Sequence, residues 1–108
     1  MTSMNKLKKE LKSACRVFKG KISYTYDDVL GDRVVCNLGK NDEQTISLSI
    51  DAATNTPEAY ITQSNGGTLV SFIHNPKEIK VDKEIKGYSN ISVRGQHTGS
   101  SSTIFVKK

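Results

Sequence analysis

The stretch from Met4 to Tyr26, MNKLKKELKSACRVFKGKISYTY, changes its hydrophobic period halfway along. Met4, Leu7, Leu11, Ala14 or Cys15, and Phe18 recur at steps of three and four, the spacing of one helical face. Lys6, Lys8, Lys9, Lys12, Arg16 and Lys19 fill the other positions. Ser3 carries an N-cap side chain, and Gly20 stands where a C′ glycine would stop the helix. From Lys21 the period becomes two, with Ile22, Tyr24 and Tyr26 alternating with Lys21, Ser23 and Thr25. The spacing predicts a helix over 4–19 and then a strand whose Tyr24 and Tyr26 face the core.

The alternation continues along the chain. Val34, Cys36 and Leu38 form one phase and Ile46, Leu48 and Ile50 another, with a turn at Gly39-Lys40-Asn41-Asp42 between them. Tyr60–Gln63 and Leu69–His74 flank Ser64-Asn65-Gly66-Gly67, a hairpin pattern that ends at Asn75-Pro76. Ile79 and Val81 mark a short charged strand of the kind found at sheet edges. Ile91 with Val93, and Ile104 with Val106, flank a Gly/Ser-rich loop at 95–102. The expected fold is α+β, one domain over residues 1–108. An N-terminal amphipathic helix packs on a curved antiparallel sheet of six or seven short strands spanning about 21–107. A partly open barrel plugged by the helix is the close alternative.

With 108 residues the chain has room for one domain and not for a large cofactor enzyme. No window approaches the ~18 apolar residues of a membrane-spanning helix. The Lys-rich N-terminus lacks the apolar core of a secretory signal, so a cytoplasmic location is expected. Cys15 falls on the apolar helix phase and Cys36 on an apolar strand phase. Both read as small reduced core residues, with a disulfide as the alternative if the helix packs on that strand. Lys outnumbers Arg 13 to 3 and Trp is absent, usage that fits an A·T-rich genome such as that of a low-GC bacterium, a phage or a mobile element.

The net charge of +5 is unevenly spread. Residues 1–21 carry seven bases against one acid, 22–76 two against seven, and 77–108 seven against three. Basic ends around an acidic middle raise the prospect of phosphate contacts along the helix. Against that, base-edge readout leans on Arg, Asn and Gln, and the helix has one Arg and one Asn. Core-facing tyrosines would offer no stacking platform.

His74 and His97 are the only histidines, and with Cys15, Cys36 and the scattered acids they form no familiar metal-ligand spacing. No acid accompanies His97 and Ser100–Ser102 in their loop, so a nucleophile with an oriented base is not indicated. The loop lacks the Gly-Lys-Ser/Thr ending of a phosphate-binding loop. Asp27, Asp28 and Asp32 miss the calcium-loop pattern. No catalytic residue, metal ligand or cofactor is therefore expected.

The expected function is a small, non-enzymatic cytosolic binding protein. It would recognise and occlude a protein partner, as accessory or inhibitor proteins of phages and mobile elements do. Arg94, His97, Lys77, Lys80 and Lys83 are the expected contact residues. The first alternative is nucleic-acid binding through Lys6, Lys8, Lys9, Lys12, Arg16 and Lys19. The second is a small ligand or nucleotide held by the 95–102 loop. Oligomeric state is open, with a dimer conceivable through exchange of the helix.

Overall fold

Helix α1 runs from Met4 to Val17 in a computed structural model that describes residues 2–28, 31–39, 44–64, 68–85, 88–97 and 99–107. Ser3 caps it as expected, its Oγ accepting from the Lys6 N–H at 3.2 Å. The helix ends two residues earlier than its periodicity suggests, and not through a left-handed glycine. Lys19 takes the left-handed conformation, with φ 56°. The Gly20 N–H then closes on the Cys15 carbonyl at 2.9 Å, the wider bond of a Schellman-type end. Gly20 is required for a different reason. A Cβ there would lie 2.7 Å from Cys15 Sγ and 2.8 Å from the Asn37 carbonyl oxygen. The missing side chain lets the chain turn back tightly under the helix.

Eight strands follow: β1 (Lys21–Asp27), β2 (Gly31–Asn37), β3 (Gln44–Asp51), β4 (Thr56–Ser64), β5 (Thr68–His74), β6 (Pro76–Ile85), β7 (Tyr88–Gly95) and β8 (Ser101–Lys107). Each hydrogen-bonded pair is antiparallel and joins sequence neighbours. The expected α+β class and antiparallel pairing hold, but the single sheet does not. β1 to β5 form one sheet, β6 to β8 a second, and no pairing among the described residues closes a barrel. The division falls at Asn75-Pro76. Asn75 is left-handed, with φ 54°, and Pro76 has no N–H to offer a ladder. The chain therefore leaves β5 without a hairpin, and buried Pro76 opens β6 opposite Gly95 of β7. The charged strand is an edge as expected, though at ten residues it is not short. The pairs Ser64–Thr68 and Leu38–Gln44 bracket the predicted turns, whose residues 65–67 and 40–43 lie outside the described set.

One core lies between the helix and the two sheets. Leu7, Leu11, Ala14 and Cys15 meet Val34, Cys36, Ile46, Leu48, Ala59, Ile61 and Ile73 of the larger sheet. They also share it with Ile79, Ile91, Val93, Ile104 and Val106 of the smaller one. Each large aliphatic side chain removed from water contributes about 1.5–3 kcal/mol. Two specific ties fix the helix. Glu10 Oε1 accepts from the Ile79 N–H of β6 at 3.1 Å, which occupies an edge-strand donor. Cys15 and Cys36 form a disulfide between the helix and β2, with Cα atoms 5.9 Å apart. The expectation of two free core thiols is thereby corrected. The helix packs on that very strand and brings both sulfurs to one point of the core.

The disulfide closes a sequence separation of 21 residues, for which chain entropy gives about 3 kcal/mol. Cys15→Ala with Cys36→Ala should lower the unfolding free energy by about 2–4 kcal/mol in urea titrations, and added reductant should lower the wild type in the same way. Lys19→Gly should act oppositely. It relieves the left-handed lysine and should raise the melting temperature by a few degrees, for about 0.5–1 kcal/mol.

Candidate functional site

The larger sheet turns one face to the core and the other to solvent, and strand register decides which polar residues meet outside. Ser47 pairs with Val35 and with Tyr60, and Tyr60 with Phe72. In the next outward row Ser49 pairs with Glu58, and Glu58 with His74. Arg33, two residues before Val35, shares this face and donates from Nη2 to Ser47 Oγ. Its guanidinium lies 5.9 Å from the centre of the Tyr60 ring. The Tyr60 and Phe72 rings are 5.0 Å apart and tilted, within the range of favourable aromatic pairs.

Glu58 is the hub. It is buried, its Oε1 lies 3.3 Å from His74 Nδ1, and its Oε2 accepts from the Tyr60 hydroxyl at 3.4 Å. Asp51, at the end of β3, lies close enough that its carboxylate, that of Glu58 and the His74 ring present ligand atoms within 4.8 Å of one another. Two buried groups here have no partner among the described residues, Ser49 Oγ and Arg33 Nε. Burial, and then the Glu58 carboxylate, hold the Tyr60 phenol above its ordinary range. Strand alternation put these residues on the outward phase, but only the cross-strand register brings them together.

A second surface lies at the open end of the helix–sheet layer. Tyr24 and Tyr26 do not face the core as expected, and are 65% and 72% exposed. Their phase of β1 does point to the helix side. However, the strand runs past the packed region, and only Ile22 reaches the core. Both tyrosines line a cavity of about 660 Å³ with Met4, Lys8, Val34 and Ile50. Lys12 Nζ sits 5.3 Å from the centre of the Tyr24 ring, a cation–π contact. β1 is an edge strand, and no strand among the described residues pairs with its outer side.

The expected partner-binding residues are partly gathered. Lys77, Arg94 and His97 line one cavity of about 360 Å³ with Glu78, Gln96 and Ser100. Arg94 is drawn to Glu78 across the β6–β7 ladder, at 3.5 Å. The loop is tied by bonds from the Gly95 N–H to the Ser100 carbonyl and from the Ser100 N–H to the His97 carbonyl. Thr98 lies outside the described residues. Lys80 is not part of this cluster. It borders a separate groove between α1 and β6 with Lys9 and Glu10. The Lys83 side chain lies outside the described set.

The six helix cations do not act as one face. Lys6 pairs with Glu10 at 3.9 Å. Lys8 and Lys12 turn towards the tyrosines and Lys9 towards β6, while Arg16 and Lys19 are exposed. Among the described residues no helix is long and apolar enough to cross a membrane. No protein-family model, curated protein or solved structure matches this chain.

Tyr60 gives the site a pH signature. A phenol whose folded-state pKa is raised contributes stability that is complete below the unfolded value near 10 and is lost as pH rises through the folded value. Tyr60 should ionise later than an ordinary phenol in an absorbance titration at 295 nm. Tyr60→Phe should remove that late component and flatten the matching loss of stability above about pH 10.

Proposed function

We propose that this chain is a non-enzymatic binding protein that holds an extended segment of a partner protein along β1. The observation that carries this reading is the pair of exposed tyrosines on an unpaired edge strand, beside a cavity floored by apolar side chains. An edge strand offers main-chain donors and acceptors to an incoming strand, and adjacent pockets select its side chains. Tyrosine is among the residues that most often anchor such interfaces. Lys8 and Lys12 stand on one side and Asp32 lines the same cavity, so the rim offers both signs of charge. That mixture suits a protein segment and aids its register. Occlusion of whatever the partner segment otherwise contacts would be the mechanism.

Nucleic-acid binding is the second reading. Tyrosines free to stack on bases beside Lys8 and Lys12 support it. The acids Asp28 and Asp32 near the same end count against it, because they repel phosphates. A small ligand at the Lys77, Arg94 and His97 cavity is the third reading, on a surface of the smaller sheet. A cytoplasmic location remains a proposal from the N-terminal sequence, and the Cys15–Cys36 bond counts against it, since such bonds persist in oxidising compartments.

Tyr24→Ala with Tyr26→Ala tests whether β1 is the interface. Both side chains are exposed, so melting should shift by under about 0.5 kcal/mol equivalent. A protein captured by the wild type should bind the double variant at least about thirtyfold more weakly, the loss of more than 2 kcal/mol expected of anchor residues. Equal retention would remove β1 from the interface. Fluorescence anisotropy with single-stranded DNA and RNA at 50 and 200 mM salt supplies the other arm. Tight binding that collapses with salt, and is lost in Lys8→Glu with Lys12→Glu, would replace the protein-partner reading with the nucleic-acid one.

A further inference from the structure

We propose that Asp51, Glu58 and His74 form a site for a first-row divalent cation, with zinc as the best-matched ion. The three residues come from the ends or middles of three successive strands, β3, β4 and β5, on the outward face of the larger sheet. Their ligand atoms already lie within 4.8 Å of one another. Around a tetrahedral zinc such atoms stand about 3.4 Å apart. Small side-chain adjustments close that difference, on a ladder that runs without a bulge between these strands.

The surroundings are organised as supports of a metal centre are. Asp51 Oδ1 accepts from the Ala53 N–H at 2.9 Å, which sets its carboxylate and leaves Oδ2 free. Tyr60 donates to Glu58 Oε2, which leaves Oε1 facing the His74 ring. The Asn75 N–H to the Pro57 carbonyl, at 2.9 Å, holds the end of β5 against β4. Such outer hydrogen bonds orient ligands before the ion arrives.

An independent feature points the same way. Ser49 stands directly opposite Glu58 in the ladder and on the same face, is 2% exposed, and its hydroxyl has no partner among the described residues. A buried hydroxyl without a partner is costly unless something satisfies it. An ion-bound water between Ser49 and Glu58 would do so. The cation that might otherwise neutralise the carboxylates, Arg33, is drawn to Ser47 and to the Tyr60 ring. A cavity of about 560 Å³ reaches Asp51 and Glu58 from solvent, which gives an ion its path. Two carboxylates and one imidazole fit zinc or manganese better than the all-oxygen preference of magnesium or calcium, and better than the thiolate preference of copper(I). Three protein ligands leave a position for water or a group from outside.

The site does not depend on the partner reading, and its test uses the chain alone. Isothermal titration of the intact, disulfide-bonded protein with zinc sulfate should show one ion per chain. His97→Ala, which removes the only other imidazole, should bind as the wild type does. His74→Ala and Glu58→Gln should each weaken binding at least tenfold, with circular dichroism melts confirming that each variant is folded. Asp51→Asn provides a further variant should Glu58→Gln fail to fold. Substitution of cobalt(II) should give visible absorption in the wild type that His74→Ala loses. No binding up to millimolar zinc, unchanged affinity in folded His74→Ala, or loss of binding in His97→Ala would each overturn the proposal.

Discussion

The disulfide between Cys15 and Cys36 ties the buried side of the helix to the second strand of the larger sheet, and the space around it is fully used. Gly20 passes within contact distance of Cys15 Sγ because it has no side chain. The helix can therefore end, reverse and send β1 back beneath itself within a few residues. That reversal sets where β1 pairs with β2, and through the ladder it sets every register up to β5. The outward row of Ser49, Glu58 and His74 thus depends on a turn made on the opposite side of the molecule.

The two sheets divide the work. Their inner faces and the helix share one aliphatic core. Their outer faces differ. The smaller sheet carries polar pairs such as Arg94 with Glu78 and Ser92 with Asp82, short contacts between ladder neighbours. The larger sheet carries a connected set that runs from Arg33 through Tyr60 and Glu58 to His74, with aromatic rings on one side and carboxylates on the other. Two buried polar atoms on that face, Ser49 Oγ and Arg33 Nε, find no partner among the described residues.

Much of this fold can be read in the sequence. The change of period at Gly20 separates helix from strand, and the alternation of Ile46, Leu48 and Ile50 names the core side of β3. Lys77 of β6 lines one cavity with Arg94 and His97, whereas Lys80 of the same strand borders another. Three features could not be read in that way. The split into two sheets follows from backbone geometry at Asn75-Pro76, where the sequence alone equally permits a simple strand end. Tyr24 and Tyr26 have the right phase for the core, but phase does not tell where the core stops. The Asp51, Glu58 and His74 cluster spans 24 residues of chain and joins only through register, which no local spacing encodes.

Because every strand pairs with its neighbour in sequence, nearly all of the ladder can form by closing short loops, each at small entropic cost. The ties of long reach are few: Gln44 Nε2 donates to the Phe105 carbonyl and Thr2 Oγ1 to that of Lys77. Glu10 reaches Ile79 across 69 residues, so the helix can complete its seat only after β6 has left the first sheet at Asn75-Pro76. The molecule is a run of local hairpins locked by a few distant clasps. Loosening β6 would therefore also unseat the first residues of the chain, which bond to its Lys77 and Ile79 backbone.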